Sequence, residues 1–212
     1  MSERPFSVLL TDLDGVVFWR IPAQKAGLTL NGTNCLEHYL QPVNDLSFNG
    51  RIDDLLSPET VLKALRHLLV PVFPDVKNVL RELHENRIKI MGNTGRYNDC
   101  AMVSATNVSL ALNGVSDCFQ DILFRPYGFT TAESKDAGFR YATLHVAPEQ
   151  EIIAVDDNPL DLLPLARKHP NGRFVLIRDL TTDRLLRGVN LEEDFPNVQV
   201  HPTLRAALLE SF

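Results

Sequence analysis

The sequence predicts an α/β protein, with a mainly parallel sheet covered by helices on both faces and a small, mostly helical insertion after the first strand. Three observations predict it: short apolar, β-branched runs alternate regularly with helical stripes after Pro74; the first apolar run stops abruptly in TDLDG; and the alternation is interrupted between Trp19 and about Val70. Alternating strands and helices call for crossover connections, and those place helices on both faces of a sheet whose strands run the same way.

Phe6 to Thr11 reads as a buried strand running into a loop, the kind of strand end where open α/β sheets place ligands. In the interruption, two helices are expected near Asn34 to Leu40 and Pro58 to Leu69, with Ser57 as N-cap and Pro58 at the first helical position of the second. The expected division is therefore a core domain of residues 1–18 and 71–212 and an inserted helical unit of residues 19–70. After Pro74, Val76, Val79, Leu80 and Leu83 form an i, i+3, i+4, i+7 stripe that leads into a strand from Ile88 to Gly92. A helix from Ala101 to Leu112 and a strand from Phe119 to Leu123 follow. Next comes a helix capped by Ser134, with Phe139, Ala142, Thr143 and Val146 on one face. Glu151 to Val155 is the next buried strand, Asn158 and Pro159 open a helix to Lys168, and Arg173 to Ile177 is another strand. Val198 to Val200 and the segment Leu204 to Leu209 close the chain, and Thr181 to Pro196 reads as a loop or irregular edge.

With 212 residues and 44% apolar side chains the chain can bury a full core, which excludes a collagenous or disordered protein. A formal charge of -6 with scattered lysine and arginine argues against a nucleic-acid backbone as partner. It is compatible with a small phosphorylated substrate, because a metal ion can supply local positive charge. Cys35, Cys100 and Cys118 form no CxxC pair, the start MSERPFSVLL lacks a signal-peptide core, and no apolar run approaches bilayer length. The expectation is a cytoplasmic protein with no membrane partner.

Four chemically distinctive features fall at or just beyond strand ends, which the right-handed crossovers of such a sheet bring to one edge. Asp12 and Asp14 alternate out of the first strand and can aim two carboxylates at one place, although aspartates are also common in loops. Thr94, in IMGNTGR, offers a hydroxyl beside a glycine-containing turn that could hold phosphate oxygens; it also reads as a plain helix N-cap. Lys135, in ESKDAGF, places a cation near that edge, where an isolated lysine is usually just solvated. Asp156 and Asp157 end EIIAV, with Asp161 four residues on, and adjacent carboxylates after a buried strand repel unless a cation or hydrogen bonds compensate.

With these four in order, the chain resembles the haloacid dehalogenase superfamily of phosphotransferases, and in particular its capped phosphoglycolate phosphatase and β-phosphoglucomutase-like branch. LLTDLDG matches the family's strand followed by DxDG, IKIMGNT its second-strand hydroxyl motif, Lys135 its helix lysine and VDDNPLD its closing acidic pair. The lead-in VFPDVKNVLRELHENRIKIMGNT resembles the segment before the hydroxyl motif in capped members. Two positions depart from the pattern: Val16 stands where many members have threonine, and Asn93 and Thr94 compete for the phosphate-facing role.

The resemblance implies a Rossmann-like fold with a helical cap at residues 19–70, and a magnesium-dependent phosphomonoester hydrolase. It implies that Asp12 attacks phosphorus and that Asp14, its pKa raised by crowded acidic surroundings, acts as general acid and base. Mg2+ would be held by Asp12, the main-chain carbonyl of Asp14 and Asp157, with Asp156 and Asp161 behind them, while Thr94, Lys135 and a neighbouring Asn93 bind the phosphate. Arg20, Lys25 and Arg51 of the cap are candidate substrate contacts, and Arg96 and Arg125 receive no role. Alternatives are a phosphomutase built on the same residues, a non-catalytic domain that keeps the fold, and a 3′-end phosphatase acting on nucleic acid, which the acidic balance disfavours.

Overall fold

The computed structural model describes residues 6–18, 65, 67–147 and 150–209. Alternation along the first strand, β1 (Phe6–Thr11), decides how the layers form. Val8 and Leu10 pack into one apolar cluster and Leu9 into the other, so a strand apolar on both faces needs helices above and below. The remaining strands are β2 (Lys89–Tyr97), β3 (Phe119–Arg125), β4 (Glu151–Asp156), β5 (Arg173–Ile177) and β6 (Val198–His201). All pair in parallel, in the order β3-β2-β1-β4-β5-β6.

The helices are α1 (Pro74–Glu85), α2 (Cys100–Leu112), α3 (Thr131–Thr143), α4 (Pro159–Lys168), the short α5 (Leu180–Leu185) and α6 (Leu191–Asp194), and α7 (Leu204–Leu209). Helix α1 starts with Pro74 in its first turn and buries Val76, Val79, Leu80 and Leu83, the stripe seen in the sequence. Each such side chain contributes about 1.5–3 kcal/mol on removal from water. That face packs with Leu204, Ala207 and Leu208 of α7 on one side of the sheet. Phe139 and Ala142 of α3 and Leu162, Leu163, Leu165 and Ala166 of α4 cover the other.

Three expectations are corrected. Strand β2 does not stop at Gly92 but continues through Tyr97. Helix α3 is capped by Thr130, whose hydroxyl accepts from the Glu133 N–H while the Glu133 side chain accepts from the Thr130 N–H, so Ser134 lies inside the helix and Thr143 on its exposed side. The segment expected as loop, Thr181 to Pro196, holds all but the first residue of α5 and the whole of α6. The expected cap at 19–70, with its first helix, Cys35 and the contacts assigned to Arg20, Lys25 and Arg51, lies outside the described residues except for its end. There Leu65, His67 and Leu68 are helical. No helix among the described residues is long and apolar enough to cross a membrane.

The strand order reverses direction between β1 and β4, where the chain moves outward one way through β2 and β3 and the other way through β5 and β6. At such a switch point the crossover loops diverge and leave a crevice outside the carboxyl ends of the strands.

Candidate active site

The loop leaving β1 is pinned by an apolar plug. Leu13, Val16, Val17 and Phe18 are buried, and the Phe18 and Val17 N–H groups both donate to the Leu13 carbonyl, at 2.7 and 3.1 Å. With those residues turned into the core, Asp12 and Asp14 are left at the sheet edge. Val16, the departure from the family pattern, is part of this plug. The Asp12 N–H donates to the Val155 carbonyl at 2.8 Å, which ties the loop to β4 across the switch point.

Gly15 has a φ of +88°, and a Cβ there would collide with the Asp157 carboxylate. Only a residue without a side chain lets the turn after β1 close over the carboxylate that follows β4.

Asp12, Asp156 and Asp157, all buried, can each present a carboxylate oxygen within 4.8 Å of the others. Lys135 reaches into this group from α3, its ammonium 2.6 Å from Asp12 Oδ1 and 2.8 Å from Asp156 Oδ2. Burial opposes the charge on Lys135, but Asp12, Asp156 and Asp161 more than offset it and hold the ammonium well above its ordinary range. One lysine does not balance three acids. Burial pushes the Asp12 carboxyl up to about 7, Lys135 pulls it down, and Asp156 and Asp14 push it further up. An all-oxygen, net-negative cluster of this kind fits a hard divalent cation such as Mg2+. Asp156 is further fixed by the Asn158 N–H at 2.9 Å, and Asn158 donates to Asp161 at 2.7 Å, so Asp161 sits behind the cluster.

Because Gly92 of β2 is in register with Thr11, the residues from Asn93 to Arg96 run alongside the Asp12–Asp14 loop. Thr94 is fully buried within β2 and its hydroxyl oxygen accepts from the Arg96 N–H at 3.2 Å. It caps no helix, since Asp99 is the N-cap of α2. Asn93 is turned toward α3: its amide donates to the Lys135 carbonyl at 3.0 Å, and its carboxamide lies against Gly138.

Asp14 also meets groups the sequence reading did not connect to it. Arg96 grips it with both ends of its fork, Nε to Oδ2 at 2.9 Å and Nη2 to Oδ1 at 2.6 Å. His67 Nδ1 lies 3.7 Å from Oδ1. Asp12, an acidic neighbour close enough to feel the Asp14 charge, is thus joined around Asp14 by a guanidinium and an imidazole. Burial lowers the His67 pKa, as does Arg96, while Asp14 acts in the opposite sense. The sequence offered one signal for Arg96: two residues beyond Thr94 on the same strand, it shares that residue's face. Ending the strand at Gly92 concealed it. Thr182 of α5 was missed for a similar reason. Its fully buried hydroxyl donates to the Asp157 carbonyl at 3.2 Å from a segment read as loop.

No family model and no curated protein sequence matches the chain. Solved structures do. A haloacid dehalogenase-like hydrolase from Streptococcus pneumoniae aligns over 97% of this chain and 98% of its own, at 16% identity and a TM-score of 0.53. A predicted phosphatase from Clostridium acetobutylicum aligns over 97% of both chains at 16% identity and a TM-score of 0.58. The fold is that of the haloacid dehalogenase-like hydrolases. An L-2-haloacid dehalogenase, RSc1362, shares it as well, at 15% identity and a TM-score of 0.57, with 98% of this chain and 99% of that one aligned. The haloacid dehalogenase-like fold therefore hosts more than one named activity.

Proposed function

We propose that this chain is a magnesium-dependent phosphomonoester hydrolase that works through a phosphorylated Asp12 on a small phosphorylated metabolite. The observation that supports it most is the buried cluster at the switch point, where Lys135 bridges Asp12 and Asp156 with Asp157 in reach. Asp12, Asp157 and the main-chain carbonyl of Asp14 would hold the metal, with Asp156 and Asp161 outside them. When bound, Mg2+ would offset repulsion between the Asp12 carboxylate and the phosphoryl oxygens.

In the first displacement an Asp12 oxygen forms a bond to phosphorus as the bond to the ester oxygen breaks, and Asp14 gives its proton to that departing oxygen. In the second, water attacks phosphorus, Asp14 takes the water's proton, and the bond between Asp12 and phosphorus breaks. Inorganic phosphate leaves and both aspartates return to their starting state. Lys135 keeps Asp12 oriented and offsets charge that builds on the phosphoryl oxygens. Since the Thr94 oxygen accepts from Arg96 N–H, its own proton is available to a phosphate oxygen. Asn93 serves by holding the backbone of α3 at Lys135, a role that suits its geometry better than direct phosphate contact.

Asp14 favours ester hydrolysis over dehalogenation, because a departing alkoxide needs a proton and a departing halide does not. The test is hydrolysis of an aryl phosphate with and without Mg2+. Chelator and Asp12→Asn are each expected to abolish turnover, and Asp14→Asn to lower it about 100- to 10,000-fold. Full activity in Asp12→Asn, or indifference to chelator, would contradict the mechanism.

A further inference from the structure

Arg96 has been given no part in the reaction so far, yet it is built in more firmly than a surface arginine. Its side chain is 2% exposed. Besides gripping Asp14, Nη1 donates to Thr106 of α2 at 2.8 Å, Thr106 donates onward to the Met102 carbonyl at 2.7 Å, and the guanidinium lies 4.9 Å from the centre of the Phe18 ring. The group is therefore held by β2, by α2 and by the plug of the Asp12–Asp14 loop together. Burying a guanidinium costs several kcal/mol per ion before its partner is counted, and an apolar pair would serve packing as well or better. The charge is directed instead at one carboxylate.

That carboxylate remains reachable. Asp14 keeps 18% of its side-chain surface while Arg96 is covered, so the fork meets it from the protein side. An ionised carboxylate has about four acceptor positions, and the fork takes one on each oxygen. A planar fork also fixes rotation about the last side-chain bond, which a single-point lysine contact would not.

We propose that Arg96 is the positioning residue for Asp14, fixing the orientation of its carboxylate for proton transfer to and from the oxygen that leaves phosphorus. This rests on the reading of Asp14 as general acid and base given above. It predicts a particular fingerprint. Proton transfer matters most when the departing oxygen is strongly basic, so a misaligned Asp14 harms alkyl esters far more than activated aryl esters.

The experiment measures kcat and KM for phosphate monoesters ranging from alkyl to nitrophenyl, in wild type, Asp14→Asn, Arg96→Met, Arg96→Lys and the double variant Asp14→Asn with Arg96→Met. Arg96→Met is expected to lower kcat about 10- to 100-fold on alkyl esters and less than about 3-fold on nitrophenyl esters, with KM little changed. Its leaving-group dependence should follow that of Asp14→Asn, and the double variant should be no worse than Asp14→Asn alone. Arg96→Lys, which keeps the charge without the fork and guards against a folding failure in Arg96→Met, should fall between wild type and Arg96→Met on alkyl esters. An equal loss on every ester in Arg96→Lys, a change confined to KM, or additive losses in the double variant would overturn the proposal while leaving the phosphatase reading intact. A wild-type protein inactive on every ester would overturn both.

Discussion

At Asp12, burial pushes the carboxyl from an ordinary value of 3.8 to about 7 against the pull of Lys135, with Asp156 and Asp14 adding to the rise. Between those two values the folded chain holds a proton that the unfolded chain has released. Folding stability in the metal-free protein therefore falls as pH rises through that window and stays lowered above it. Asp12→Asn, close in shape and uncharged, should melt higher than wild type in chelator at pH 8. The gain should build from about pH 4 and level off near pH 7, between the ordinary and the raised Asp12 values. Thermal melts across this range check it, and a lower melting temperature for Asp12→Asn at pH 8 would mean that the Lys135 pairing outweighs the burial. A nucleophile made less stable where it is needed is an expected trade of stability for function.

Among the elements, α3 carries the sharpest geometric demand, because it must deliver Lys135 to acids on two strands. Gly138, one turn past Lys135, lets the helix lie against β2; a Cβ there would collide with the Asn93 carboxamide, which itself holds the Lys135 carbonyl. Gly138→Ala would gain about 1 kcal/mol in an exposed helix. Here it is expected to raise no melting temperature and to lower kcat about 10- to 100-fold by displacing Lys135. Calorimetry and steady-state kinetics would show it, and a more stable, fully active variant would contradict it. Elements with unambiguous signals were legible in the sequence: the stripe of α1, the Asn158 and Pro159 opening of α4, and the apolar strands β1 and β5. Strand β2 was truncated because Gly92 and Gly95 read as a turn, whereas Gly92 packs between Leu13 and Ile122 and Gly95 against Thr131. That misreading hid the face shared by Thr94 and Arg96. The Thr130 to Glu133 capping box was present in the sequence but passed over for Ser134.

For the whole molecule, the strand order β3-β2-β1-β4-β5-β6 turns residues far apart in sequence into neighbours, since Asp12 and Lys135 are separated by 123 positions and still meet at 2.6 Å. The composition of the four features and their order made that meeting legible before any coordinates. The partner of Asp14 was not legible, because a contact across 82 positions between a loop and a strand face leaves no local pattern. The topology makes Asp12 the one carboxylate that leaves β1 at the switch point with Lys135 against it, and the central claim is that phosphorus becomes bonded there. The most direct measurement is to quench the protein with acid during turnover of a phosphate ester, reduce it with borohydride and sequence the peptides by mass spectrometry. Homoserine is expected at position 12, dependent on substrate. Turnover with unmodified Asp12, or with the phosphoryl group trapped on another side chain, would contradict it.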